Sequence, residues 1–132
     1  MPAGTGPLGR RYINIGGRPM DLPFSDGVLV GGTLFLSGRI GIDPKTGRAA
    51  TGVENEIRLL LDGLQSVLRQ AGMSMNDLAY VQVYCTDLAL YQRFNAIYRT
   101  YFGASFPARA FLGAGSLLLG ARFELQAIAM KG

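Results

Sequence analysis

Two charged residues stand where charge is unexpected. Arg109 lies in "FPARAFLG" and Glu124 in "ARFELQAIAM", each inside a run that otherwise reads as buried strand. An ionised side chain is rarely buried without a partner or a task. A guanidinium presents parallel N–H donors that match both oxygens of a carboxylate. Arg109 therefore has the chemistry of an anchor for a small carboxylate, or of a partner for a neighbouring subunit's acid. A carboxylate within reach of water can orient it and carry its protons, so Glu124 has the chemistry of a general base, unless it only neutralises Arg109 or Arg122.

What is missing narrows the chemistry further. The chain has no histidine and a single cysteine, Cys85. That removes the commonest base and metal ligand, every Ser-His or Cys-His catalytic pair, any cysteine-based metal cluster and any intrachain disulfide. The formal net charge of +4 attracts anions in general. The basic residues are scattered, with no stripe interleaved with aromatics, so nucleic acid is an unlikely partner. No apolar run is long enough to cross a bilayer and the start lacks the pattern of a signal peptide, so the expected location is the cytoplasm.

The 132 residues suit one domain, and an apolar share of 48% against 17% charged hints that part of the surface meets another protein. Residues 1–22 read as an arm with an early edge strand in "RRYINI". Val28 to Val30 and Thr33 to Ile40, split by Gly31-Gly32, give a hairpin signal, and "DPKTG" a turn. From Val53 the apolar residues Ile57, Leu60, Leu61, Leu64, Val67 and Leu68 fall at helical spacing. Thr51 and Glu54 have the spacing of a capping box, Gly72 is placed to end the helix, and Gly63 inside it implies close packing. "LAYVQVYC" alternates as a strand with Val81, Val83 and Cys85 on one face. Asp87 then caps a second helix whose stripe is Leu90, Phe94, Ile97, Tyr98, Tyr101 and Phe102, and strands follow at about 107–113 and 121–130. The order β, β, α, β, α, β, β packs most simply as one mixed sheet with both helices on one face. The other face, with Tyr80 and Tyr84, would be bare in a monomer, which points to oligomerisation through the sheet.

"PFSDGVLVGGTLFLSGRIGIDPKTG", "GLQSVLRQAGMSMNDLAYVQVYCTDL", "FNAIYRTYF", "PARA" and "FELQAIA" occur here in an order that resembles the Rid (YjgF-like) family of reactive intermediate deaminases, from about Pro23 to Met130. The resemblance implies a chorismate-mutase-like α/β (α+β) fold with a mixed, mainly antiparallel sheet. It implies a homotrimer around a central barrel-like core, with ligand clefts between subunits. It also implies cofactor-independent hydrolysis of enamines and imines, such as 2-aminoacrylate and 2-iminopropionate, to 2-ketoacids and ammonia.

On that resemblance Arg109 matches the substrate-binding arginine and Glu124 the acidic residue near the ligand. Asn95 and Ser37 match positions lining the cleft, although either can instead satisfy local backbone groups. Pro107 holds the strand entry before Arg109. Departures from the family pattern fall at the pocket: Phe24 and Asp26 in "PFSDG" where the family has "PYSQ", Arg39 in "SGR" where it has "SGQ", and Phe111 two residues after the arginine. Phe24 lacks a hydroxyl, Arg39 is placed either to reach the ligand or to lie at the subunit interface, and Phe111 shares a strand face with Arg109, making the pocket more apolar. Two other readings stay open: a trimer that binds 2-ketoacids with little turnover, and, less favoured, a ribonuclease. Cys85 reads as core packing, and "GAGSLLLG" as a turn, since it lacks the lysine and spacing of a phosphate loop.

Overall fold

The computed structural model describes residues 9–16 and 22–131. Most of the expected arm, residues 1–8 and 17–21, lies outside the described residues, as does residue 132. Strand β1 (Arg11–Ile13) is the edge strand expected from "RRYINI" and pairs antiparallel with β2 (Gly27–Val30). Strands β2 and β3 (Thr33–Arg39) form the hairpin around Gly31-Gly32, where Gly31 takes a φ of 59° that a side chain would strain. Strands β4 (Ile42–Asp43) and β5 (Arg48–Ala49) pair around the Pro44 turn, which Asp43 holds by accepting from the Lys45 N–H at 2.9 Å. Two-residue strands are too short to show an alternation, so only the turn was visible in the sequence.

Helix α1 (Val53–Gln70) buries the expected stripe. It ends as predicted: Gly72, at φ 73°, donates to Arg69 O, and Met73 donates to Leu68 O. The expected capping box at its start does not form. Gly52 occupies the cap position, and Glu54 reaches across to the Arg93 guanidinium at 2.8 and 2.9 Å. That hydrogen-bonded pairing lowers the Glu54 carboxyl to about 2.

Strand β6 (Leu78–Cys85) alternates as expected, with Cys85 buried and its thiol pushed up by burial. The second helical region differs from the single helix predicted. It comes in three pieces: a 3-10 turn Leu88–Leu90 capped by Asp87, helix α2 (Tyr91–Tyr98), and a 3-10 turn Arg99–Tyr101. Strands β7 (Ala108–Gly113) and β8 (Phe123–Met130) complete a six-stranded sheet ordered β1-β2-β3-β8-β6-β7. Only β6 and β7 run parallel in it, because α2 supplies the crossover a parallel pair needs. The result is a mixed α+β fold with both helices on one face.

Under the helices lies a core of Leu34, Leu36, Val81, Val83, Phe123, Leu125 and the α1 stripe. Each fully buried side chain of this kind contributes roughly 1.5–3 kcal/mol relative to exposure. One buried charge crosses this layer. Glu56 of α1 is fully buried and accepts from Arg122 N at 2.7 Å, Phe123 N at 3.1 Å and Arg122 Nη1 at 2.6 Å, pinning the helix to the start of β8. Gly41 has no Cβ because the Glu56 backbone carbonyl occupies that space.

The opposite face is uncovered in a single chain, as the alternation of β6 implied. Phe35, Leu112 and Met130 are 49%, 41% and 53% exposed there. Across its middle Tyr80 donates to Gln82 Oε1 at 3.2 Å, and Gln82 Nε2 donates to Tyr84 Oη at 2.5 Å.

Candidate functional site

The register of β7 on β6 sets Arg109 beside Val81, so its side chain rises on the helix face and meets α2. Its Nη2 donates to Asn95 Oδ1 at 2.9 Å and makes a long contact of 3.5 Å to Tyr91 Oη. Four rings surround the guanidinium carbon, with centroids at 4.8 Å for Tyr98, 5.2 Å for Phe111, 5.6 Å for Tyr91 and 6.0 Å for Phe94. Ring faces attract a cation without consuming its N–H donors. Among the described residues no carboxylate lies within ion-pair distance of Arg109. The charge is held by neutral groups.

A cavity of about 290 Å³ opens at this guanidinium. Tyr91, Asn95, Tyr98, Arg99, Phe106 and Arg109 line it, together with Pro107 at the strand entry. Among the described residues two cations and no carboxylate line it. Tyr91 is lowered by its hydrogen bond with Asn95 and by the Arg109 charge, while burial pushes Tyr98 up to about 12. The Tyr98 hydroxyl is buried and has no hydrogen-bond partner among the described residues.

Phe111 occupies the ground behind this cavity. Its ring meets Tyr91 edge-on at 4.9 Å and Phe94 at 5.4 Å, so it fixes the wall that carries the hydrogen bond to Arg109. It also packs directly on the Arg109 guanidinium, on the strand face expected from the sequence.

Glu124 stands elsewhere. It pairs in register with Tyr84, on the bare face of the sheet, whereas Arg109 rises on the helix face two strands away. Two strand spacings amount to about 10 Å before the thickness of the sheet is added. One chain therefore does not bring the two charges together. Glu124 does not neutralise Arg122 either, since that arginine belongs to Glu56. The Glu124 carboxylate lies over Gly38, in the space a Cβ would need, and among the described residues it is the acid with no hydrogen bond or ion pair.

The remaining sequence candidates gather near Glu124's end of the sheet. Ser37 lies in a bulge of β3, with its N–H donating to Asp26 O at 3.0 Å and its hydroxyl donating to Ser25 O at 2.5 Å, the local backbone role that competed with a ligand role. Phe24 is 49% exposed in the loop before β2. Within one chain Arg39 turns toward α1 and Asp26. It crosses under α1 where Gly63 leaves room, and Nη1 stands 3.6 Å from Asp26 Oδ1. Asp26 is buried, accepts from Ile15 N at 2.9 Å and donates through its own N–H to Asn14 Oδ1 at 3.0 Å. The two departures "PFSDG" and "SGR" are thus one structural pair.

Of the expected site residues, Arg109, Asn95 and Phe111 come together, and Tyr91, Tyr98, Arg99 and Phe106 join them unforeseen. Tyr91, Asn95 and Tyr98 are spaced at i, i+4 and i+7, one stripe of α2. That spacing, read together with a lone arginine on the next strand, was the available signal.

Fold and site together describe a small α+β domain presenting an arginine at an aromatic cavity, and known proteins share the fold. The chain belongs to the Rid (YjgF-like) family, whose model, described as endoribonuclease L-PSP, matches residues 18–131. It is 34% identical to the human 2-iminobutanoate/2-iminopropanoate deaminase over 93% of this chain and 91% of that one. A RutC family protein of Pyrococcus horikoshii is 37% identical over 83% of this chain and 87% of its own. The solved structure of the Rid family protein YyfA from Yersinia pestis superposes with a TM-score of 0.85 at 30% identity, covering 92% of this chain and 99% of that one.

Proposed function

We propose that this protein hydrolyses 2-imino acids and their enamine tautomers to 2-ketoacids and ammonia, without metal or organic cofactor. The observation that carries the reading is Arg109: a guanidinium held by Asn95, backed by four rings and with no carboxylate partner among the described residues, in a chain similar to an imine deaminase. The substrate carboxylate docks on Arg109 through paired N–H donors. Water then adds to the electrophilic C2 carbon, the carbinolamine loses ammonia as the C–N bond breaks, and the C2 oxygen becomes the ketone of the product. Glu124 orients that water and moves its protons.

Because Arg109 and Glu124 lie on opposite faces, the reading requires two chains for each site. We place the bare face, with Phe35, Leu112 and Met130, in the core of a homotrimer, and the clefts between its subunits. Glu124 of one subunit then meets the cavity of the next. Among the described residues no helix is long and apolar enough to cross a membrane, and the buried free thiol of Cys85 suits a reducing compartment, so we assign the cytoplasm. The cavity matches a small metabolite, near the lower end of ligand pockets in size.

The test generates an imine in place with an amino-acid oxidase and follows its decay with wild type, with Arg109→Ala and with no protein. Faster decay with wild type alone is expected. Equal decay in all three contradicts hydrolysis; ketoacid binding by wild type and not by the variant would then leave a binding protein.

A further inference from the structure

The cavity at Arg109 holds a second cation that the hydrolysis of a simple imine does not use. Arg99 opens the 3-10 turn after α2 and lines the same cavity. It is exposed, and among the described residues its side chain makes no hydrogen bond and no ion pair. Five other basic side chains are committed: Arg93 to Glu54, Arg122 to Glu56, Arg39 to Asp26, Arg11 to Gln70 O and Lys131 to Gly72 O. Two uncommitted guanidiniums lining one cavity raise the local potential for anions. A monocarboxylate neutralises one of them. A ligand with a second negative group at its far end neutralises both, and pairs two desolvating charges that otherwise repel each other.

Resting on the deaminase reading, we propose that the preferred substrates are dianionic 2-imino acids, the imines of acidic amino acids. The C2-side carboxylate sits on Arg109 and the distal carboxylate on Arg99. The aromatic wall of Tyr91, Tyr98 and Phe106 flanks the short methylene chain between them. Arg99 acts as a specificity residue: it contacts the end of the substrate remote from the reacting carbon, so it changes which imine is taken and not how water adds.

The experiment compares the imines of aspartate and alanine, each generated in place by an oxidase, with wild type and Arg99→Gln. Wild type is expected to show kcat/KM about tenfold higher for the dicarboxylate imine, the worth of one charge-assisted contact, and the variant to lose that ratio. An unchanged ratio while both imines are still hydrolysed overturns this inference and leaves the deaminase reading standing. If neither imine is accelerated, the deaminase reading fails, and calorimetry decides the inference separately. Tighter binding of 2-oxoglutarate than of 2-oxobutanoate by wild type, lost in Arg99→Gln, supports the paired site; equal or absent binding overturns it. An unchanged thermal midpoint of the variant shows that its fold is intact.

Discussion

Arg109 is held by Asn95 and four aromatic rings, and its replacement should be felt at once. Arg109→Ala removes a bidentate contact to the substrate carboxylate, an expected loss of about 100-fold in kcat/KM for imine hydrolysis, and Arg109→Lys should recover little of it because an ammonium cannot reproduce the planar fork. Steady-state kinetics on both variants check this. Glu124→Gln should behave differently, retaining ketoacid affinity by calorimetry while hydrolysis falls. The tyrosines supply a pH signature. Burial raises Tyr98, and burial with the Asp62 hydrogen bond raises Tyr101, each to about 12 from 10. The folded state then holds protons that the unfolded chain releases, so their contribution is complete below pH 10 and is lost as pH rises toward 12. Denaturant midpoints measured across that window should fall, and fall less in Tyr98→Phe. Arg109 and Asn95 were readable from residue type and resemblance. The contacts of Arg39 with Asp26 and Gly63, and of Phe111 with Tyr91 and Phe94, join residues distant in sequence and were not readable from it.

At the scale of elements, α1 is where sequence and structure agree most closely and where one residue resisted its usual rule. An interior glycine normally costs about 1 kcal/mol relative to alanine, yet Gly63 provides the space into which Arg39 runs toward Asp26. Gly63→Ala should therefore destabilise the wild-type chain, and in an Arg39→Ala background the same change should stabilise it by about 1 kcal/mol. Chemical denaturation of the four proteins of this cycle gives the coupling directly. Glu56→Ala should cost more, about 3 kcal/mol, because it leaves Arg122 and two backbone N–H groups without their acceptor. Periodicity revealed α1, β6 and the β2–β3 hairpin, since each buries one face along its whole length. The capping box at Thr51 does not form because Glu54 reaches across to Arg93 of α2, a contact that local spacing does not record, and the second helix is interrupted where Asp87 holds a 3-10 turn by accepting from Ala89 N and Leu90 N.

For the whole molecule, the decisive fact is that the sheet separates its two most conspicuous charges. Arg109 rises on the helix face beside Asn95, and Glu124 lies over Gly38 on the bare face. The sequence placed both on strands and foresaw a bare face; that the strands aim them oppositely depends on register, which only the pairing of β6 with β7 and β8 defines. Their cooperation across a subunit boundary is the centre of the proposed mechanism. It is tested most directly by refolding the two inactive variants together. Arg109→Ala and Glu124→Gln chains, mixed in equal amounts and allowed to assemble at random, should recover about one quarter of wild-type hydrolysis, because one boundary in four then joins an intact arginine to an intact glutamate. Activity no higher than that of either variant alone would contradict a site shared between chains.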